Sequence, residues 1–334
     1  MTTVSATNPV TILTTISSRE LLAKRLPPIR MIVGKHVPAG LLLLAGDPKV
    51  GKSLLVQDLA LSVAVGNPAW GSLHVDAGDV LYIANEGGER SFRDRLVKML
   101  GLAGDFQPDA IEEALEQALG RFHIAQTNEP LGARLEIQLE VWLNRVEDPR
   151  LIVIDTYSSV APEGRGANRH QDDYNALAGL ADLATRWPNT LFIVVHHTRK
   201  AEGEDVMHRI SGSNGMAAAT DGMAVLSRQP AANRCLLTIR PRNAEESELL
   251  MERRDDLRWV VVGEDERLRL SSGRQVILAW LDDHPEGGSP KVISEETGLD
   301  YDSVRQFLVQ MEGARQVVKE RRGWYKSSAT SADE

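Results

Sequence analysis

The chain of 334 residues has a single cysteine, Cys235, so no internal disulfide holds it together, and that usage suits a reducing cytoplasm. It has no continuous apolar run as long as a membrane span requires, so no membrane association is expected. Its start lacks a basic flank leading into an apolar stretch, so no signal peptide is expected. It has no basic excess either. The formal net charge of −9 argues against a surface coated with nucleic-acid-binding charge. A local basic site remains open, because affinity follows local phosphate contacts rather than the global sum. What is present is ordinary for a globular protein: 42% apolar and 25% charged residues, in a length that suggests about two domains.

Against that background one motif stands out. Gly46-Asp47-Pro48-Lys49-Val50-Gly51-Lys52-Ser53 spells G-x-x-x-x-G-K-S, the phosphate-binding loop of nucleoside triphosphatases. The preceding run, Leu41 to Ala45, reads as a buried strand, and Leu54 to Val65 reads as a helix. A strand feeding a glycine turn at a helix N-terminus is what phosphate binding needs, since free backbone N–H groups face the anion. Lys52 is expected to reach the β- and γ-phosphates and Ser53 to hold Mg²⁺, with ATP or GTP as the ligand.

The rest of the chain supplies a matching scaffold. A loose arm over residues 1–15 precedes a short helix, Arg19 to Arg25, with Ser18 as its candidate N-cap. Strands are expected at Asp79 to Asn85, Leu151 to Asp155, Leu191 to His196 and Gly222 to Leu226. Helices between them are expected at Glu89 to Leu100, Ile111 to Leu119, Ala133 to Val146 and Gln171 to Arg186. Such alternation predicts an α/β domain over residues 16–263, with a mainly parallel sheet covered on both faces. Antiparallel strands at Arg234 to Arg240 and Leu257 to Val262 would finish it. A polar linker is expected over residues 264–272. Helices at Arg274 to Asp282, Lys291 to Thr297 and Tyr301 to Met311, then a hairpin turning at Gly323, predict a winged helix-turn-helix over residues 273–326. Residues 327–334 read as a disordered tail.

Three further features bear on hydrolysis. Leu151 to Asp155 is an apolar strand ending in an acid, the pattern that delivers a carboxylate to the Mg²⁺ shell. Thr156, not a second acid, follows it, so the base that activates water must come from elsewhere. Glu86, ending Leu81-Tyr82-Ile83-Ala84-Asn85-Glu86, is the candidate; helix capping is its alternative role, and Glu89 its competitor. His196 and His197 end a fourth strand, where a polar residue can sense the γ-phosphate. Adjacent strand residues face opposite sides, which disfavours a zinc site.

Together these segments, with Val195 to Lys200 and Ser211 to Asp221, resemble the RecA-like ATPases of the hexameric helicase group. They look most like the plasmid RepA-type replicative helicases and their phage and mobile-element relatives. The resemblance covers residues 15–262. It implies Glu86 as catalytic base, Asp155 as the Mg²⁺-shell acid and His197 as γ-phosphate sensor. It also implies a homo-oligomer, a hexameric ring with ATP between subunits, in which a neighbour's arginine completes the site. Thr238-Ile239-Arg240-Pro241-Arg242-Asn243 occupies that motif's place, and Pro241 leaves the choice between Arg240 and Arg242 open.

Such a ring would turn loops toward single-stranded DNA in its channel. The segments 163–173, with Arg165 and Arg169, and 199–212, with Lys200 and Arg209, are the candidates. They lack aromatic residues, so phosphate contacts are expected rather than base stacking. The acids Glu202, Glu204 and Asp205 leave solvated loops as the alternative. In the winged helix, Lys319, Arg321 and Arg322 form a basic wing that suits DNA backbone, with docking of a replication-protein partner as the alternative. Two functions remain open: a DNA-stimulated helicase, or an ATP-dependent DNA-binding switch that does not translocate.

Overall fold

The computed structural model describes residues 15–25, 28–102, 113–162, 169–197, 214–229, 233–263, 272–313, 316–321 and 323–328, without the side chains of residues 169–173, 214, 272 and 275. The strands are β1 (Met31–Val33), β2 (Val37–Pro38), β3 (Gly40–Gly46), β4 (Asp79–Ala84), β5 (Phe122–Ala125), β6 (Pro149–Asp155), β7 (Leu191–His197), β8 (Gly222–Arg228), β9 (Arg234–Pro241), β10 (Ser247–Arg253), β11 (Trp259–Gly263), β12 (Val317–Arg321) and β13 (Trp324–Ser327). The helices are α1 (Ser18–Ala23), α2 (Lys52–Val65), α3 (Gly88–Met99), α4 (Glu113–Leu119), α5 (Ala133–Arg145), α6 (Tyr157–Val160), α7 (Arg169–Arg186), α8 (Asn214–Ala219), α9 (Ser272–Asp283), α10 (Pro290–Thr297) and α11 (Tyr301–Gly313).

Among the described residues, nine strands form one sheet in the order β11-β10-β9-β8-β3-β7-β6-β4-β5. From β8 to β5 every pairing is parallel. β9, β10 and β11 add an antiparallel meander at the other edge. Burial explains the pattern. β3, β6 and β7 are apolar along nearly their whole length because helices cover both faces, as parallel strands require. One face packs on α2 and α3 through Leu55, Leu59 and Phe92. The other packs on α5 and α7 through Leu139, Leu143, Leu177 and Leu180. This is the expected α/β architecture with a mainly parallel central sheet.

Local differences have local reasons. The N-cap of α1 is Ser17, not Ser18: Ser17 and Glu20 form the reciprocal capping box that the S-x-x-E spacing requires. The short pair β1 and β2 went unpredicted, as did two strands of the nine-stranded sheet. β5 is a four-residue edge strand with Ile124 exposed, and β10 interrupts its apolar residues with Glu248 and Glu252. β11 begins at Trp259 rather than Leu257, whose φ of 68° belongs to a turn. The segment α9 to β13 has its own core of Ile277, Leu281, Ile293, Val304, Leu308 and Tyr325. Asp300 accepts from the Ser303 backbone N–H at 3.0 Å, and Gly298 and Gly323 both have positive φ, as their stop and turn positions demand. The linker lies almost wholly outside the described residues, as do the arm up to Thr14 and the tail from position 329.

Candidate functional site

Register assembles the site. Gly46 on β3 lies opposite His197 on β7, and Asp155 on β6 lies opposite both Val195 on β7 and Ala84 on β4. The four strands therefore stop together. The loop after Gly46, the acid Asp155, the His197 ring and Glu86, two residues past Ala84, share the C-terminal edge of the parallel sheet. That edge is where doubly wound sheets hold ligands.

The loop then turns sharply into α2. Gly51 is the N-cap with φ 110°, and a Cβ there would lie 2.7 Å from Cζ2 of Trp259, so the position admits only glycine. Lys49 also has positive φ, and its carbonyl accepts from Arg228 Nη2 at 2.6 Å. Val50 is buried, with its carbonyl 3.8 Å from the Cys235 thiol. Lys52 is buried and folds back into the loop, donating to Gly46 O at 2.8 Å and Asp47 O at 3.0 Å. Its third contact is His197 Nδ1 at 3.0 Å. An ammonium only donates, so Nδ1 must carry a lone pair and the ring proton sits on Nε2. Burial lowers the Lys52 pKa to about 8, against the pull of Asp155, Asp47 and Glu86. Burial, and next the Lys52 charge, hold the His197 pKa below its ordinary value.

Beside it, Ser53 Oγ donates to Asp155 Oδ1 at 3.2 Å and Tyr82 OH donates to Asp155 Oδ2 at 2.7 Å. Burial raises the Asp155 pKa while these two hydrogen bonds oppose it. Glu86 Oε1 accepts from Thr156 Oγ1 at 2.8 Å, and its Oε2 lies 4.0 Å from His197 Nε2. Thr156 Oγ1 also contacts Ser158 Oγ at 2.6 Å. Asn85 ties this corner down, donating to Ser159 Oγ and accepting from the Thr127 backbone N–H, both at 3.0 Å. The His196 ring turns the other way, edge-on to Tyr157 at 5.7 Å, as strand alternation requires. Glu89 is exposed in the first turn of α3.

A pocket of about 210 Å³ opens over Lys49, Gly51, Lys52, Ser53 and Leu54. Its remaining wall is His197, Arg95 from α3 and Arg253 from β10. Those two arginines, with Tyr82 and Thr156, were missed in the sequence; no motif marks them, and only folding brings them here. Of the other expected residues, Arg240 lies outside this wall with Nε 3.1 Å from Glu246 Oε2. Arg242 donates from Nη2 to Ala218 O at 2.6 Å, at the end of α8. The Lys319 ammonium lies 5.8 Å from the centre of the Tyr325 ring, and the Arg321 guanidinium 4.7 Å from that of Trp324. Arg165, Lys200, Arg209 and Arg322 fall outside the described residues, as does the side chain of Arg169.

Comparison with known proteins gives a consistent picture. A family model described as an AAA domain matches residues 7–203. No curated protein matches the sequence. Among solved structures, the chain is similar to one described as the "ATPase Domain of G40P", with a TM-score of 0.53 and 13% identity, over 67% of this chain and 85% of that one. It is similar in the same degree to one described as "The Structure Of A DnaB-Like Replicative Helicase And Its Interactions With Primase", with a TM-score of 0.53, 13% identity and 67% of this chain covered. The chain spans 57% of that second protein's length. At this identity the likeness is one of fold, the RecA-like P-loop core.

Proposed function

The chain belongs to the AAA domain family, and on that premise we propose that it is a ring-forming, DNA-stimulated ATPase acting as a RepA-type replicative helicase of a plasmid, phage or mobile element. The observation that carries this reading is the convergence of Lys52, Ser53, Asp155, Glu86 and His197 on one sheet edge within hydrogen-bonding or near-contact distance.

The residues suit a magnesium-bound triphosphate. Among the described residues, lysines and arginines line the pocket and no carboxylate does, which fits a polyanion. Ser53 and Asp155 would hold Mg²⁺, which when bound offsets charge on the phosphates. Lys52 would swing from the loop carbonyls to the β- and γ-phosphates. Glu86 would take the proton of the water that attacks the γ-phosphorus as the bond to the bridging oxygen breaks. Thr156, donating to Glu86, fixes which oxygen is free to do so. His197, between Lys52 and Glu86, would read the terminal phosphate. A neighbour's Arg242 or Arg240 would complete the site in a hexameric ring.

The segment α9 to β13 is read as a winged helix-turn-helix, with α11 as its recognition helix and Lys319, Arg321 and Arg322 on its wing. It would touch single-stranded DNA, duplex backbone or a replication protein. ATP-dependent unwinding of a forked duplex tests the proposal. Hydrolysis stimulated by single strands without any unwinding would replace it with the switch reading.

A further inference from the structure

The meander β9 to β11 lies beyond the parallel strands, yet it is fastened to the phosphate loop. Arg258, in the turn between β10 and β11, donates to Asp58 Oδ1 at 2.8 Å and to Ser62 Oγ at 3.1 Å, both on α2. The Trp259 backbone N–H donates to Asp58 Oδ2 at 2.8 Å. The Trp259 ring closes on Gly51. Arg253 is the last residue of β10 and pairs in register with Trp259. A rigid hairpin, anchored to the helix that begins at the loop, thus sets one guanidinium in the wall of the nucleotide pocket.

That guanidinium makes no hydrogen bond or ion pair with another side chain among the described residues, and no carboxylate lines the pocket. A half-buried arginine left this way beside a lysine-bearing loop is a ready anion ligand. Its position along the loop is also defined. Met251, two residues before Arg253 on β10, pairs with Cys235, whose sulfur lies 3.8 Å from Val50 O, in the middle of the loop. Asp155 accepts from Ser53, at the opposite end. The γ-phosphate end is marked by Lys52, His197 and Glu86.

We infer that Arg253 is a phosphate-binding residue supplied in cis, which holds the inner phosphates of a nucleoside di- or triphosphate from the antiparallel side of the sheet. The inference rests on the ATPase reading above. It separates Arg253 from a neighbour's finger, which would act on the transferring phosphate and distinguish ATP from ADP. A contact to the inner phosphates cannot make that distinction.

The test is equilibrium titration of the full chain with fluorescent ADP and a fluorescent non-hydrolysable ATP analogue, with pyrophosphate as competitor. Arg253→Ala should weaken both nucleotides by the same factor, about 10- to 100-fold, the range of one charge-assisted hydrogen bond. Pyrophosphate should lose potency in parallel, and Arg253→Lys should recover part of each loss. The melting temperature without nucleotide should not move. Unchanged affinities in Arg253→Ala would overturn the inference. So would altered preference among ATP, GTP and CTP with pyrophosphate unaffected, which would assign Arg253 to the base. A nucleotide-free protein that melts earlier in both variants, with equal losses in each, would make the residue structural. Lys52→Ala is the control for the underlying reading. A wild-type chain that binds no nucleotide, or binds it independently of Lys52, sinks both; Lys52-dependent binding indifferent to Arg253 sinks only this one.

Discussion

Lys52 Nζ lies 3.0 Å from His197 Nδ1, so the loop lysine and the strand-end histidine share a proton-bearing contact. Nucleotide binding would exchange that contact for phosphate oxygens, which couples the loop to the end of β7.

The first prediction follows from the charge on Lys52. Its pKa falls from 10.5 to about 8 on folding, chiefly through burial. A depressed pKa means that the unfolded chain binds more protons between these values, so stability rises with pH there. The contribution is fully present above the unfolded value and is lost as pH falls through about 8, by at most about 3 kcal/mol. Lys52→Met should therefore stabilise the nucleotide-free protein at pH 7 and lose most of that advantage by pH 10, as read by denaturant melts. It should also abolish productive ATP binding. An advantage that does not change with pH would refute the buried-ammonium account.

Glu86→Gln should retain ATP and lose turnover by about 10²–10⁴-fold, the scale of a positioned base. Nucleotide titration and steady-state hydrolysis check the two halves separately. Wild-type turnover in this variant would take Glu86 out of the chemistry and turn attention to Glu89.

Arg242→Ala and Arg240→Ala should bind nucleotide normally, and the variant lacking the true finger should hydrolyse up to about 10³–10⁵-fold more slowly. Mixing that variant with Lys52→Ala should restore some activity, because mixed interfaces pair an intact loop with an intact arginine. Absence of rescue in verified mixed oligomers argues against a shared site. Arg242 also bonds Ala218 O, so a melt of each variant separates loss of the finger from loosening of α8.

Replacing Arg165, Arg169, Lys200 and Arg209 with Ala should remove stimulation by single-stranded DNA while sparing basal hydrolysis. The slope of log affinity against log salt should change by about 0.7 for each phosphate contact removed. Deleting residues 272–334 should leave that stimulation largely intact. The opposite pattern, with all DNA binding lost on deletion and none in the loop variants, would favour the switch.

Asp58 is fully buried, and burial raises its pKa against the pull of Arg258. Arg258→Ala would strand that carboxylate and should cost about 3 kcal/mol, the low end for a broken buried pair because Arg258 is partly exposed. Adding Asp58→Asn should recover part of the loss in chemical denaturation. Strictly additive losses would mean that the pair is not what fastens the β10–β11 turn to α2.

The sequence by itself determined the layered α/β core and the identity of the phosphate loop. Both are written in short-range pattern: apolar runs too long for half-exposed strands, and glycines at positions where a side chain would collide, as at Gly51 against Trp259. It also indicated Asp155 and His197, each of which ends a recognisable buried strand, and Glu86, two residues past the end of another. Only the tertiary structure decided what surrounds them. Tyr82 and Thr156 reach the site because parallel register brings separate strands to one edge, and register leaves no mark in any one segment. Arg95 and Arg253 come from a helix and from an antiparallel strand whose charged residues hide its alternation. The motif supplies Lys49 and Lys52, but the other two cations of the pocket, Arg95 and Arg253, are set there by what folds opposite the loop, so that share of its charge belonged to the packing.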